Sequence, residues 1–234
     1  MTATTLGYAF LGGLLPSLIW LYFLLKEDAS HPEPKKMITL AFIAGMIAVP
    51  LALFPEQYAR NNIPDGSSVL LAWALIEELL KYIMAAVFIL WRRQVEEAPD
   101  YVVYMITVAL GFAAAENMLF LLDPLMKQLP TVALITGNLR FLGSTLVHVV
   151  CSAILGLTFA FSSNFEKPMR SLASATGLIL AIALHTSFNM LIIKEGTSSA
   201  LQAFSLIWIS AVGMLAAFEV LKYFKYRNLP TNTY

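Results

Sequence analysis

Residues 71–90 read LAWALIEELLKYIMAAVFIL, an apolar run that encloses Glu77, Glu78 and Lys81. Carboxylates beside an amine in such a run suit two tasks, activating water and relaying protons. The same intrusion recurs downstream. Glu116 and Asn117 lie in one apolar stretch, Arg140 and His148 in the next, His185 and Asn189 in the one after. At mid-bilayer each charge costs about 2.5–3.5 kcal/mol on the insertion scale, so three glutamates and a lysine left unpaired would cost roughly 10 kcal/mol. A chain keeps such a set only where the groups satisfy one another around a cavity. An internal salt bridge accounts for one pair, but not for a third charge beside it.

The elements that position these residues follow from hydropathy. The chain has 234 residues, 59% hydrophobic and 13% charged, with mean hydropathy +0.72. A soluble domain carries about a quarter charged residues, so lipid is the solvent for most of this chain. A span needs roughly 20 apolar residues. Seven stretches meet that, near 6–25, 37–54, 68–91, 101–122, 137–162, 171–193 and 199–221, with the second the shortest. The fold class expected is all-α: one polytopic membrane domain of about seven transmembrane helices, with a four-helix catalytic core over 70–190. The segments between, such as KEDASHPEPKK, PEQYARNNIPDG and DPLMKQLP, are polar and rich in turn residues. A net charge of zero argues against a nucleic-acid partner. The single cysteine, Cys151, excludes an intrachain disulfide. The N-terminal apolar run has no basic residue before it and reads as a retained span.

Lys and Arg set the orientation. Ten of them (Lys26, Lys35, Lys36, Arg92, Arg93, Lys167, Arg170, Lys222, Lys225 and Arg227) fall on one face, against Arg60, Lys127 and Lys194 on the other. The positive-inside rule then places the N-terminus outside and the C-terminus in the cytoplasm. Counted from the outer ends at about 1.5 Å per residue, Glu77 lies roughly 14 Å deep, Glu116 about 9 Å, His148 about 16 Å and His185 about 12 Å. Four residues on four helices thus share one level. Glu77 and Lys81 are four apart and can pair, and Glu78 is within three of Lys81. His185 and Asn189 share a face.

Two imidazoles and several carboxylates at one depth suit water activation. One of Glu77 and Glu78 would act as general base beside Lys81 while the other carries a proton or orients its partner. A metal reading also fits: zinc in hydrolases takes three protein ligands and leaves one position for water, and Glu116, His148 and His185 can supply the three. Asn189 would then stand behind a ligand or donate to the oxyanion. There is no HExxH and no GxSxG sequence. A Cys151–His148 arrangement is the weaker reading, because a lone thiol in an apolar helix usually packs. Arg140, near an outer end, reads as snorkelling or pairing.

The motifs EELLK at 77–81, FAAAEN at 112–117, His148 on the next span and HTSFN at 185–189 stand in the order EExxK, FxxxE, H, HxxxN. Together they resemble the PrsW family of intramembrane proteases. The wider superfamily includes the CAAX prenyl proteases, whose first motif is EExxxR and whose second ends in His. Here the first is EExxK and the second ends in Glu116, so the match leans to PrsW. The resemblance implies a membrane-embedded endopeptidase of a bacterial cell membrane. Its substrate class would be a membrane-anchored protein, an anti-sigma factor in stress signalling, cut on the outer side. Glu77, Glu78, Glu116, His148, His185 and Asn189 would form the site, with Lys81 in support. The competing expectations are a proton-coupled transporter, which predicts flux driven by a pH gradient, a catalytically silent scaffold, and a prenyl-protein endopeptidase with an inward-facing cavity.

Overall fold

The computed structural model describes every residue except Met1, Ser30, Arg93, 194–196 and 227–234. Arg93, Lys194 and Arg227, which entered the orientation argument, therefore lie outside the described residues. Among those described there is no strand. The helices are α1 (Ala3–Glu27), α2 (Lys35–Asn62), α3 (Gly66–Ala85), α4 (Ala98–Met126), α5 (Pro130–Leu139), α6 (Thr145–Ser162), α7 (Lys167–Ile193) and α8 (Thr197–Tyr226). A π-turn, Ala86–Leu90, prolongs α3, and a second, Arg140–Ser144, fuses α5 to α6. The result is seven rods. Six are long and apolar enough to cross a membrane. The seventh is α3, the helix that carries Glu77, Glu78 and Lys81.

Two boundaries differ from expectation. The second span, expected as the shortest, runs for 28 residues, through Pro50 and Pro55 to Asn62. A proline in a helix forfeits one hydrogen bond and strains the preceding turn, but packing on α4 holds the helix together. The fifth begins at Pro130, not near 137, because proline is well placed at the first position of a helix. The polar segments PEQYARNN and DPLM are thus helical ends, not loops.

α4 is the axis of the molecule, packed on α1, α2 and α6, and it is apolar on nearly every side because neighbours enclose it. Its crossing with α2 is fixed by two facing glycines. A Cβ on Gly45 would strike the Val108 carbonyl, and a Cβ on Gly111 the Phe42 carbonyl. Such backbone-to-backbone approach needs small residues. It sets Phe112, the next residue, against Ala44, Ala48 and Val49 of α2, with Glu116 one turn beyond Phe112. α3 packs on α2 and α7, and α6 on α4 and α7, so the four motif-bearing helices close around one interior.

Candidate active site

Asp65 caps the start of α3, accepting from the Ser68 backbone N–H at 2.8 Å. Three turns later Glu77, Glu78 and Lys81 are all buried. Lys81 Nζ donates to Glu78 Oε1 at 2.6 Å. The ion pair therefore forms at i, i+3, and the i, i+4 partner Glu77 is left out of it. Glu78 Oε1 also accepts from His185 Nδ1 of α7 at 2.7 Å. From α6, His148 Nδ1 lies 3.2 Å from Lys81 Nζ, and its Nε2 lies 2.9 Å from Glu116 Oε2.

These contacts fix both tautomers. An ammonium only donates and a carboxylate only accepts. Lys81 donating to Nδ1 of neutral His148 puts that ring's proton on Nε2, facing Glu116. His185 carries its proton on Nδ1, facing Glu78. Each imidazole thus donates to an outer carboxylate; His185 turns its Nε2 lone pair toward Glu77, while the Nδ1 lone pair of His148 accepts from Lys81. Between them lies Glu77 Oε2, 3.9 Å from His148 Nδ1 and 3.8 Å from His185 Nε2. That oxygen is buried and has no hydrogen-bond partner. The rings themselves meet edge to face, centroids 5.0 Å apart.

Three acceptor atoms, Glu77 Oε2, His148 Nδ1 and His185 Nε2, converge here, and a cation among them would displace Lys81 from His148. Glu77, His148 and His185 place one ligand atom each within 4.8 Å of one another. Two imidazoles and a carboxylate are a ligand set zinc accepts. An imidazole ligand whose second nitrogen donates to a carboxylate is the usual outer arrangement around such a metal. Glu116, expected as a ligand with the two histidines, instead stands behind His148. A second group, Glu78, Cys151 and His185, also converges within that distance; there Lys81 holds Glu78 more closely, at 2.6 Å, than it holds His148, at 3.2 Å.

Glu116 is held from its other side. The Arg140 guanidinium, projected from the π-turn, binds Glu116 Oε2, and its Nε donates to Asn117 Oδ1 at 2.5 Å. Asn117 in turn donates to Thr145 at 3.0 Å. The guanidinium lies 3.8 Å over the Phe120 ring. Arg140 is thus the pairing residue its position suggested. π-turns are frequent at functional sites, and this one aims Arg140 across to α4.

A cavity of about 440 Å³ leads to Glu77 and Glu116, lined by α2, α3 and α4. Its mouth, with Gln57, Arg60 and Asp123, faces the end of the bundle that carries the α2–α3 and α4–α5 turns. Glu56 lines it too. Sequence reasoning missed Glu56 because it assigned PEQYARNN to a loop, and two prolines masked the helix. Asn189, one turn beyond His185, is half-buried and makes no side-chain hydrogen bond to the cluster among the described residues.

Similarity to known proteins agrees with this geometry. Residues 33–220 match the family model described as PrsW family intramembrane metalloprotease. The chain is 28% identical over 211 residues to Protease PrsW of Oceanobacillus iheyensis, covering 86% of this chain and 91% of that protein. It is 26% identical over 186 residues to Protease PrsW of Geobacillus kaustophilus, covering 78% and 79%. For Protease PrsW of Bacillus subtilis the identity is 24% over 187 residues, covering 77% and 80%. No solved structure gives a significant match. A buried carboxylate–histidine centre in a lipid-solvated helical bundle, matched over most of its length, makes this chain a member of the PrsW family of intramembrane metalloproteases.

Proposed function

We propose that Glu77, His148 and His185 hold a zinc ion and that the protein hydrolyses a peptide bond of a membrane-anchored protein substrate at the outer side of the bilayer. The orphaned Glu77 Oε2, 3.9 and 3.8 Å from a nitrogen of His148 and of His185, carries this reading, with Lys81 ceding His148 Nδ1 to the metal. A bound zinc supplies a nucleophile at neutral pH and polarises the scissile carbonyl. The chain's own groups do the rest. Glu78 and Glu116 fix the tautomers and ring planes of His185 and His148. Lys81 neutralises Glu78. The surrounding helices exclude bulk water, which strengthens each of these interactions.

The positive-inside bias and the position of the cavity mouth support an outward-facing cut in a bacterial cell membrane, N-terminus outside. A single-span anti-sigma factor is the substrate class we favour, by analogy with the family. The test is cleavage of a panel of single-span proteins by purified protein, with products read by mass spectrometry and bound metal by elemental analysis. We expect about one zinc per chain, with cleavage lost in a chelator and in the Glu77→Gln, Glu78→Gln double variant. Full cleavage by metal-free protein would overturn the zinc assignment. Full cleavage by the double variant would overturn the site.

A further inference from the structure

α1 and α2 both lie along α4, yet they scarcely pack on one another. The gap between them is a groove of about 230 Å³, floored by Ala115, Met118 and Leu119 of α4 and flanked by Leu6 and Met46. Its walls are apolar and open to the hydrocarbon: Leu6 is 45% exposed and Leu53 48%. Val49, Leu53 and Leu119 line both this groove and the cavity that reaches Glu77 and Glu116. The groove and the catalytic cavity are therefore separated by a single layer of side chains. A larger apolar groove between α1 and α5, about 530 Å³ and lined by Leu134, shares no residue with that cavity. The shared wall, not size, distinguishes the first.

We propose that the substrate enters sideways from the lipid through the α1–α2 groove, seating an apolar stretch of its membrane segment on Ala115, Met118 and Leu119. This rests on the protease reading above and adds the route. The chemistry of the two compartments fits such an occupant. A substrate helix keeps its backbone polar groups bonded internally, so the scissile bond becomes accessible only once the helix unwinds. The groove accepts the apolar side chains. The cavity beyond offers Gln57 and Arg60 to the backbone groups that unwinding frees.

The experiment places cysteines at Leu6 and Met46, which flank the groove and do not line the catalytic cavity, and joins them with a cleavable bifunctional thiol reagent. Cys151 is wholly buried and out of the reagent's reach. Two substrates are compared in liposomes: a single-span protein that the unmodified enzyme cuts, and a short water-soluble peptide spanning the same scissile bond. We expect bridging to lower kcat/KM for the span substrate by roughly tenfold or more, mainly through KM, relative to the same variant unbridged. The peptide, entering by the aqueous mouth, is cut at its unbridged rate, and severing the bridge restores the span substrate. A bridged enzyme that cuts the span substrate at its unbridged rate overturns the proposal.

A photo-crosslinking residue at Met46, with one at Leu134 as comparison, decides the case in which bridging abolishes both activities. Substrate adducts at Met46 support the route. Adducts at Leu134 alone, or to lipid alone at both positions, overturn it. If the unmodified protein cuts neither substrate, the protease reading fails first, and the route with it.

Discussion

Two regions of this molecule bury carboxylates, and they handle them in opposite ways. In the interior of the candidate site, Glu78 meets Lys81 and His185, and Glu116 meets Arg140 and His148. At the other end of the bundle, where α1 turns into α2, Asp28, Glu33 and Asp100 crowd together around Tyr104. The Tyr104 hydroxyl donates to Glu33, and Asp100 accepts from the Glu96 and Glu97 backbone N–H groups at 2.8 and 2.9 Å. The nearby Lys222 is engaged by Glu27 at 2.5 Å and Glu219 at 2.6 Å. The interior thus compensates negative charge with cations. The turn compensates it with protons, hydroxyls and backbone amides. A cation partner holds a carboxylate charged and oriented, which catalysis needs, whereas shared protons let a group change charge with pH.

Replacing the interior carboxylates should have the largest effect. Glu77→Gln or Glu78→Gln should each lower kcat by about 10²–10⁴-fold, the range for a lost general base or preorganised charge. A single-turnover assay on the span substrate measures it. Retained activity in both would remove the catalytic half of the comparison.

Removing the cation that orients from outside should cost less. Arg140→Met leaves Glu116 and Asn117 without their guanidinium and should weaken zinc affinity and kcat/KM by roughly 10–100-fold. Arg140→Lys should recover only part of this, because an ammonium cannot bind both residues as the planar fork does. Zinc competition titration separates the metal effect from folding. Wild-type affinity in Arg140→Met would mean that His148 is oriented without help from the π-turn at Arg140–Ser144.

The turn should respond to pH and not to the metal. Burial, then the neighbouring Asp100, push Asp28 up to about 7. Burial raises Glu33 to about 8, against the opposing hydrogen bond from Tyr104. Both values lie above those of the unfolded chain, so the fold binds more protons than the unfolded state between about pH 4 and 8. The contribution to stability is full below the unfolded values and is lost as pH rises through 7 and then 8. Thermal unfolding in detergent should therefore occur at lower temperature at pH 9 than at pH 6. Glu33→Gln should flatten the slope. A midpoint that rises with pH, or a slope unchanged in Glu33→Gln, would show that the turn is not held by protons.

The smallest effect sharpens the comparison from the scaffold side. Asp65→Ala removes the cap of the helix that carries Glu77 and Glu78 and should cost about 1 kcal/mol of stability, in line with other N-caps. Activity per folded molecule should stay near wild type. A disproportionate loss of activity would mean that the register of α3 depends on its exposed end.

Much of this was legible from residue types. An unpaired ionisable group in hydrocarbon is expensive, so Glu77, Glu78, Glu116, His148 and His185 announce an interior site without any contact information. Arg140 could be read as a pairing residue on the same grounds. Less legible were the ends of helices. Pro50 and Pro55 read locally as breakers, and only packing on α4 carries α2 through to Asn62, placing Glu56 beside the cavity.

What the sequence by itself determined is the solvent and the cast: a chain folded in lipid, seven rods, and a set of acids and bases at one depth. Tertiary structure decided their partners. Spacing allows Lys81 to reach Glu77 or Glu78 about equally well. His148 and His185, arriving from helices 67 and 107 residues away, settle it. His185 shares Glu78 Oε1 with Lys81, Lys81 also donates to His148, and Glu77 Oε2 is left without a hydrogen-bond partner. Pairing among buried charges depends on distances of a few ångströms between separate helices, and helical periodicity carries no information about those.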